Sequence, residues 1–273
     1  MKLFAYIKHY YRMLKYPAYK IRVMEKKYLN NLKKMPRYLE GNFILFGNEI
    51  TYADAPSFVF MFEEIFKKEI YKFNSTHQTP YIIDAGANIG LSTIYFKHIY
   101  PNSEIVCFEP DKRIHNILCN NINSFKFENV KIFCNALWND EVVLNFNSEG
   151  ADAGRISDFD KNQNMVSAIK LRSFLNKKVD FLKIDIEGAE IIVLEDCKDL
   201  LINVERLFVE YHSFVNVPQS LDSLLNILFN AGFRYYIQSN SSSKNSPFLH
   251  VNEYLGMDLQ LNIYAVKSHL ISS

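Results

Sequence analysis

Two stretches of the chain collect residue types that do chemistry. The first is Asp84-Ala85-Gly86-Ala87-Asn88-Ile89-Gly90, which joins an apolar run to a helical pattern. Glycine lets backbone approach a ligand or a packing neighbour closely. A helix N-terminus presents N–H groups to a carboxylate or phosphate. The spacing is G-x-N-x-G rather than the G-x-G-x-x-G of dinucleotide binders. Asp84, just before the turn, would repel a pyrophosphate and attract an amino group. The turn therefore favours the methionine end of S-adenosylmethionine (SAM) over a dinucleotide. Glu109 ends the next apolar run, about 20 residues on, where a carboxylate can accept both hydroxyls of a ribose.

The second stretch is split between Lys183-Ile184-Asp185-Ile186-Glu187-Gly188 and Phe208-Val209-Glu210-Tyr211-His212. Alternation along a strand puts Asp185 and Glu187 on one side, and likewise Glu210 and His212. Carboxylates beside a histidine favour its protonated form and suit it for proton transfer. The same oxygen-rich set suits Mg²⁺ or Mn²⁺. Plainer readings stay open: Glu187 as charge compensation at a helix N-terminus, His212 as a structural histidine, and Glu210 as its buried partner.

These residues need a frame. Apolar strand-like runs at 81–84, 104–109, 130–136, 180–185 and 206–212 alternate with helical patterns at 89–100, 111–125, 189–201 and 221–231. Runs at 234–238 and 259–266 add two more strands. The pattern predicts an α/β fold with a Rossmann-like, seven-stranded, mainly parallel sheet. Ligands bind such sheets beyond the carboxyl ends of the strands. Those ends read Asp84, Glu109, Asn135, Asp185 and Glu210/His212, so every central strand finishes in a polar group. Extended pieces are expected at 142–146 and 168–171. The loop 147–167, with Asp152, Gly154, Arg155 and Ser157, follows the third strand and is placed to cover an acceptor; 239–245 is a polar connection.

Upstream, the pattern predicts an amphipathic helix over 2–16, a second over 18–35, a hairpin over 43–50 around Gly47-Asn48, and a helix capped by Asp54 running to about residue 71. The polar loop 74–80 divides an N-terminal helical extension, 1–79, from a domain over 80–273.

IIDAGANIGLST (82–93), VCFEPD (106–111), CNALWND (134–140), DFLKIDIEGAEIIVLE (180–195) and LFVEYH (207–212), in this order, resemble the FkbM-type methyltransferase family over about residues 80–237. The resemblance implies a class I methyltransferase fold, SAM as cofactor, and O-methylation of a sugar or glycan in surface-polysaccharide or glycoconjugate synthesis. It implies that Asp84, Gly86, Asn88 and Gly90 form the methionine-binding loop. Glu109 would bind the ribose, Asn135 and Ala136 would lie beside the adenine, and Asp185 would be the acid nearest the sulfonium. His212 would be the base, oriented by Glu210 or Glu187. The rival is a divalent metal held by Asp185, Glu187, Glu210 or His212. Trp138 is read either as stacking on adenine or sugar, or as core.

Charge is uneven. Residues 1–40 hold eleven of the 31 Lys and Arg but two of the 30 acids. The basic aromatic stripe at 4–14 can lie on an anionic membrane surface, giving peripheral contact through residues 1–35 at the inner face. It can instead bury its aromatic face on the domain or on a second copy of the chain. Nucleic-acid binding is not expected, since no recognition motif accompanies the charge. The four cysteines form no C-x-x-C pair, which argues against a zinc knuckle or redox dithiol. Cys107 and Cys134 read as buried reduced thiols, which fits a cytoplasmic protein. No apolar run reaches the ~18 residues of a membrane span. A nicotinamide-dependent oxidoreductase would want the missing glycine pattern. A non-catalytic SAM-binding module would not need polar groups at every central strand end.

Overall fold

A computed structural model describes residues 27–147, 155–156, 164–239, 249, 253 and 255–270. The helix expected over 2–16, most of its successor, the loop residues Asp152, Gly154 and Ser157, and residues 240–245 lie outside the described residues. The chain is helical over 27–32 and then forms a hairpin of β1 (Gly41–Leu45) and β2 (Asn48–Tyr52), followed by α1 (Ala55–Phe62). Next come β3 (Tyr81–Ala85), α2 (Leu91–Ile99), β4 (Glu104–Phe108), α3 (Lys112–Ser124) and β5 (Val130–Phe133). Four short strands follow: β6 (Ala136–Trp138), β7 (Val143–Asn147), β8 (Arg155–Ile156) and β9 (Asn164–Lys170). The last part holds β10 (Phe181–Ile184), α4 (Glu190–Asp196), β11 (Arg206–Phe214), α5 (Leu221–Asn230), β12 (Phe233–Ser239) and β13 (Met257–Lys267).

The main sheet has seven strands in the order β12-β13-β11-β10-β3-β4-β5. β11, β10, β3, β4 and β5 run parallel, and β13 is antiparallel to both its neighbours. Every residue of β3 and β10 is buried, as a parallel strand covered on both faces requires. From β3 the chain winds outward through β4 and β5, then returns on the other side to β10 and β11. The order reverses between β3 and β10, and a ligand crevice opens at such a point.

One face of the sheet is covered by α2, α3, α1 and the hairpin, the other by α4 and α5. Ile50, Phe58, Val59 and Phe62 share a single apolar cluster with Ile82, Phe96, Phe181 and Phe208. The segment before residue 74 thus buries its apolar side on the sheet and shares its core. The linker 74–80 is latched beneath the sheet by Asp180, whose carboxylate accepts from Ser75 Oγ (2.7 Å) and Tyr81 N (2.9 Å) and meets His77 Nδ1 (2.7 Å).

Three expectations change. The third strand stops at Phe133, and Ala136–Trp138 leaves it for a separate sheet of order β6-β9-β7-β8. Asp54 does cap α1, accepting from Ser57 N at 3.0 Å, but the α-helix ends at Phe62 and continues as a π-helical turn, Glu63–Lys67. Cys107 is buried as expected, whereas Cys134 is exposed because it follows the end of β5. Among the described residues no helix is long and apolar enough to cross a membrane.

Candidate active site

The β3–α2 turn takes its shape from backbone in the left-handed region at Gly86 (φ +79°), Asn88 (φ +49°) and Gly90 (φ +92°). Only glycine fits at 86, because a Cβ there would fall onto the carbonyl of Asp185 at the end of β10. The close approach expected toward a ligand is therefore first an approach to the neighbouring strand. Gly90 precedes α2, and a Cβ there would meet Leu118 of α3 at 2.7 Å. Gly86 N and Ala87 N donate to Phe108 O at 3.0 and 2.9 Å, which pins the turn to the end of β4.

Glu109 continues from that end. Its Oε2 accepts from Asn88 N and its Oε1 from Asp111 N, both at 3.0 Å. A carboxylate has about four acceptor positions, so room remains for two hydroxyl donors. Burial pushes the Glu109 carboxyl up to about 7. Donors added to its ionised form would pull it down again.

Asp84, expected to face an amino group, is turned inward and fully buried. Its Oδ2 accepts from Ser92 Oγ (2.5 Å) and Thr93 Oγ1 (2.7 Å). Lys183 Nζ lies 3.6 Å from its Oδ1 and 3.2 Å from Asp185 Oδ2, and donates to Gly86 O at 2.7 Å. Asp84 thus supports the turn from below. Burial works against the Lys183 charge, but Asp185 and Asp84 outweigh it and hold the ammonium protonated.

Across the switch point the chain leaves β10 through Asp185 and Glu187. Glu187 has φ +55°, a conformation that non-glycine residues adopt at a cost. His212, on β11, is buried with Nδ1 2.9 Å from Glu190 Oε1 and Nε2 3.6 Å from Glu187 Oε2. Glu190 also accepts from Gly188 N (3.1 Å) and Ile186 N (3.2 Å). Glu210 instead accepts from Gln260 Nε2 of β13 at 2.5 Å. The group holding His212 Nδ1 is therefore Glu190, not Glu210 or Glu187, because the first residue of α4 folds back over the preceding turn.

Burial disfavours a charged His212, yet Glu187, Glu190 and Glu210 together raise its proton affinity well above the ordinary value. Burial also pushes the Glu187 carboxyl up to about 8, against the pull of His212. Asp185, Glu187 and His212 each bring one ligand-type atom within 4.8 Å of the others. Such a cluster can store a proton or attract a cation.

A family model, the methyltransferase FkbM domain, matches residues 84–235, which include the turn, Glu109 and the whole acid–histidine cluster. The chain belongs to the FkbM methyltransferase family. It is 28% identical over 167 residues to methyltransferase 1 of Beauveria bassiana (strain ARSEF 2860), covering 51% of this chain and 67% of that one. It is 40% identical over 63 residues to methyltransferase sdnD of Sordaria araneosa, covering 23% of this chain and 24% of that relative. Among solved structures, methyltransferase FkbM from Methylobacillus flagellatus KT superposes with a TM-score of 0.48 at 17% identity, over 73% of this chain and 46% of that one. The chain thus spans less than half of sdnD and of the M. flagellatus protein.

Within this FkbM domain, Asn135 and Ala136 lie past the end of β5. Asn135 is half-buried and donates to Ser167 O at 3.1 Å, while Ala136 is buried opposite Ala168. Trp138 packs against the core beneath. Two site residues carried no assigned role in the sequence reading. Lys183 was visible as a lone cation in an otherwise apolar central strand, where a buried charge needs a partner. Glu190 reads as an ordinary first-turn acid of a helix; nothing local shows that it reaches His212, 22 residues later.

Proposed function

We propose that this chain transfers the methyl group of SAM to a hydroxyl of a sugar or glycan, in the assembly of a surface polysaccharide or glycoconjugate. The supporting observation is the pairing of two unlike half-sites across the β3/β10 switch point. One is a preset turn with Glu109 at its mouth; the other is His212 held between Glu190 and Glu187. SAM, when bound, supplies a methyl group on a positively charged sulfur. The residues fit it: Glu109 keeps acceptor positions for ribose hydroxyls, and the partly exposed carboxylate of Asp185 favours a nearby cation.

The chain's own task is to hold an acceptor in line and to take its proton. A sugar hydroxyl is a weak nucleophile until a base removes its proton. His212 supplies that base, with Glu190 fixing Nδ1 and Nε2 lying beside Glu187. Because His212 binds its own proton tightly at rest, the base form grows as pH rises. Transfer of labelled methyl from SAM, screened against nucleotide sugars and glycan fragments, tests the reading. Absence of label from every carbohydrate, with label found on another acceptor class, would overturn the sugar assignment.

The cluster of Asp185, Glu187 and His212 supports a second reading, in which Mg²⁺ or Mn²⁺ sits among these three. Full turnover after exhaustive chelation would remove it.

A further inference from the structure

The family match begins at Asp84, but a residue from upstream of it packs beneath the acids of the site. Tyr71 is 4% exposed and belongs to the same apolar cluster as Phe181 and Phe208. Its ring meets Phe208 edge-on at 4.9 Å, with Phe96 at 5.8 Å and Phe181 at 6.3 Å. Side chains alternate along a strand. Phe181, Lys183 and Asp185 therefore rise from one face of β10 and its continuation. Phe208 and Glu210 rise from the same face of β11, since Phe208 lies opposite Lys183. Asp84 joins them from β3, opposite Lys183 on the other side. Tyr71 rests on the phenylalanines at the base of this face, a step below Asp185 and Glu210.

The ring is packed, but the hydroxyl is not paired. Among the described residues the Tyr71 hydroxyl has no hydrogen-bond partner, where a buried polar group ordinarily has one. Burial, then the charges of Asp185, Glu210 and Asp84 in that order, push it well above the ordinary phenol range, so it keeps its proton to donate. Of these acids, Asp84 accepts from Ser92 and Thr93, and Glu210 from Gln260. Asp185 meets Lys183 through Oδ2, and a carboxylate has about four acceptor positions. The Asp185 side chain is also 25% exposed, so its outer side is open to a ligand.

We infer that Tyr71 is a positioning residue for methyl transfer: a neutral hydroxyl, supplied from outside the family-matched region, that holds the Asp185 carboxylate toward the cationic sulfur of the bound donor. A buried hydroxyl donates most strongly to an ionised acceptor. A carboxylate held by Lys183 through one oxygen can still turn about that contact, and a second donor fixes its plane. Being neutral, the hydroxyl orients Asp185 without cancelling the charge that a sulfonium needs. The inference rests on the reading of Asp185 as the acid beside the sulfonium, and adds the group that aims it.

Two donor analogues read that charge. Sinefungin carries an ammonium group where SAM carries its sulfonium, and S-adenosylhomocysteine carries a neutral sulfur. Calorimetry on the full chain gives the ratio of their affinities. Tyr71→Phe keeps the ring and removes the hydroxyl. It should unfold near the parent's temperature and bind S-adenosylhomocysteine as the parent does. Its preference for sinefungin should fall about tenfold, the worth of one hydrogen bond to a charged group. Asp185→Asn should lose the preference too, and Tyr71→Phe added to it should change nothing further, because the hydroxyl acts through that carboxylate. Tyr95→Phe is the control: Tyr95 is buried in the same cluster, but its hydroxyl faces Glu69 at 3.4 Å. Its ratio should match the parent's. An unchanged ratio in Tyr71→Phe, with the preference lost in Asp185→Asn, would overturn the inference and leave the Asp185 reading standing. An unchanged preference in Asp185→Asn would overturn both. A further loss in the double variant, or an equal loss in Tyr95→Phe, would reduce Tyr71 to packing and overturn the inference as well.

Discussion

The two halves of the site compensate their acids in opposite ways. On the β3 side, Asp84 is answered by two hydroxyls and Lys183, and Glu109 by two backbone N–H groups. On the β11 side, Glu187, Glu190 and Glu210 all raise the proton affinity of one buried imidazole. The first half is balanced by fixed donors and a permanent cation, the second by a proton that can leave. A preset half suits holding a ligand in constant geometry. A half whose balance depends on a mobile proton suits reaction.

The contrast can be broken at its strongest point first. Lys183→Met leaves Asp84 buried without its cation, so unfolding by urea should show about 3–5 kcal/mol of lost stability. A variant as stable as the parent would mean that the β3 side is not held by this charge. His212→Gln should cost turnover by about 10²–10⁴-fold, the usual worth of a general base. Calorimetry with S-adenosylhomocysteine should stay as in the parent, and undiminished turnover would take His212 out of the reaction. Glu190→Gln keeps an acceptor for Gly188 N but removes one negative charge from beside His212. The rising limb of log kcat/KM against pH should move to lower pH by about 1 unit, and an unmoved limb would mean that Glu190 only shapes the turn.

The smallest expected effect sharpens the β3 side. Glu109 is pushed up to about 7 in the free protein. Hydroxyl donors favour its ionised form, so ligand binding lowers that value and releases a proton. Affinity for S-adenosylhomocysteine should then be full above about pH 7 and fall below it, by at most about tenfold per pH unit. Calorimetry in buffers of different ionisation enthalpy reads both the trend and the proton. A flat profile with no proton released would show that Glu109 does not meet the ribose.

What was legible in the sequence follows the same divide. The strand–turn–helix frame and Glu109 are local signals: apolar runs, glycines in a short turn, an acid at a strand end. Alternation correctly set Glu210 and His212 on one face, and the antiparallel register extends that face across β13. The partners of Asp84 and His212 were not legible, because they are tertiary. Lys183 reaches Asp84 across paired strands, and Glu190 reaches His212 from a helix start. The third strand was overrun because Cys134 and Ala136 continue its alternation while the chain crosses to the small sheet. The linker at 74–80 marks a change in pattern, and the core is continuous on either side of it, since Phe58 and Phe62 lie in the same cluster as Phe181 and Phe208.

The contact between Gly86 and the Asp185 carbonyl has one more consequence. Backbone rests on backbone there, with no side chain to yield, so the loop after β3 and the acid after β10 shift as one rigid piece. The spacing between the turn and that acid is therefore set by main chain, out of reach of side-chain substitution except at residue 86.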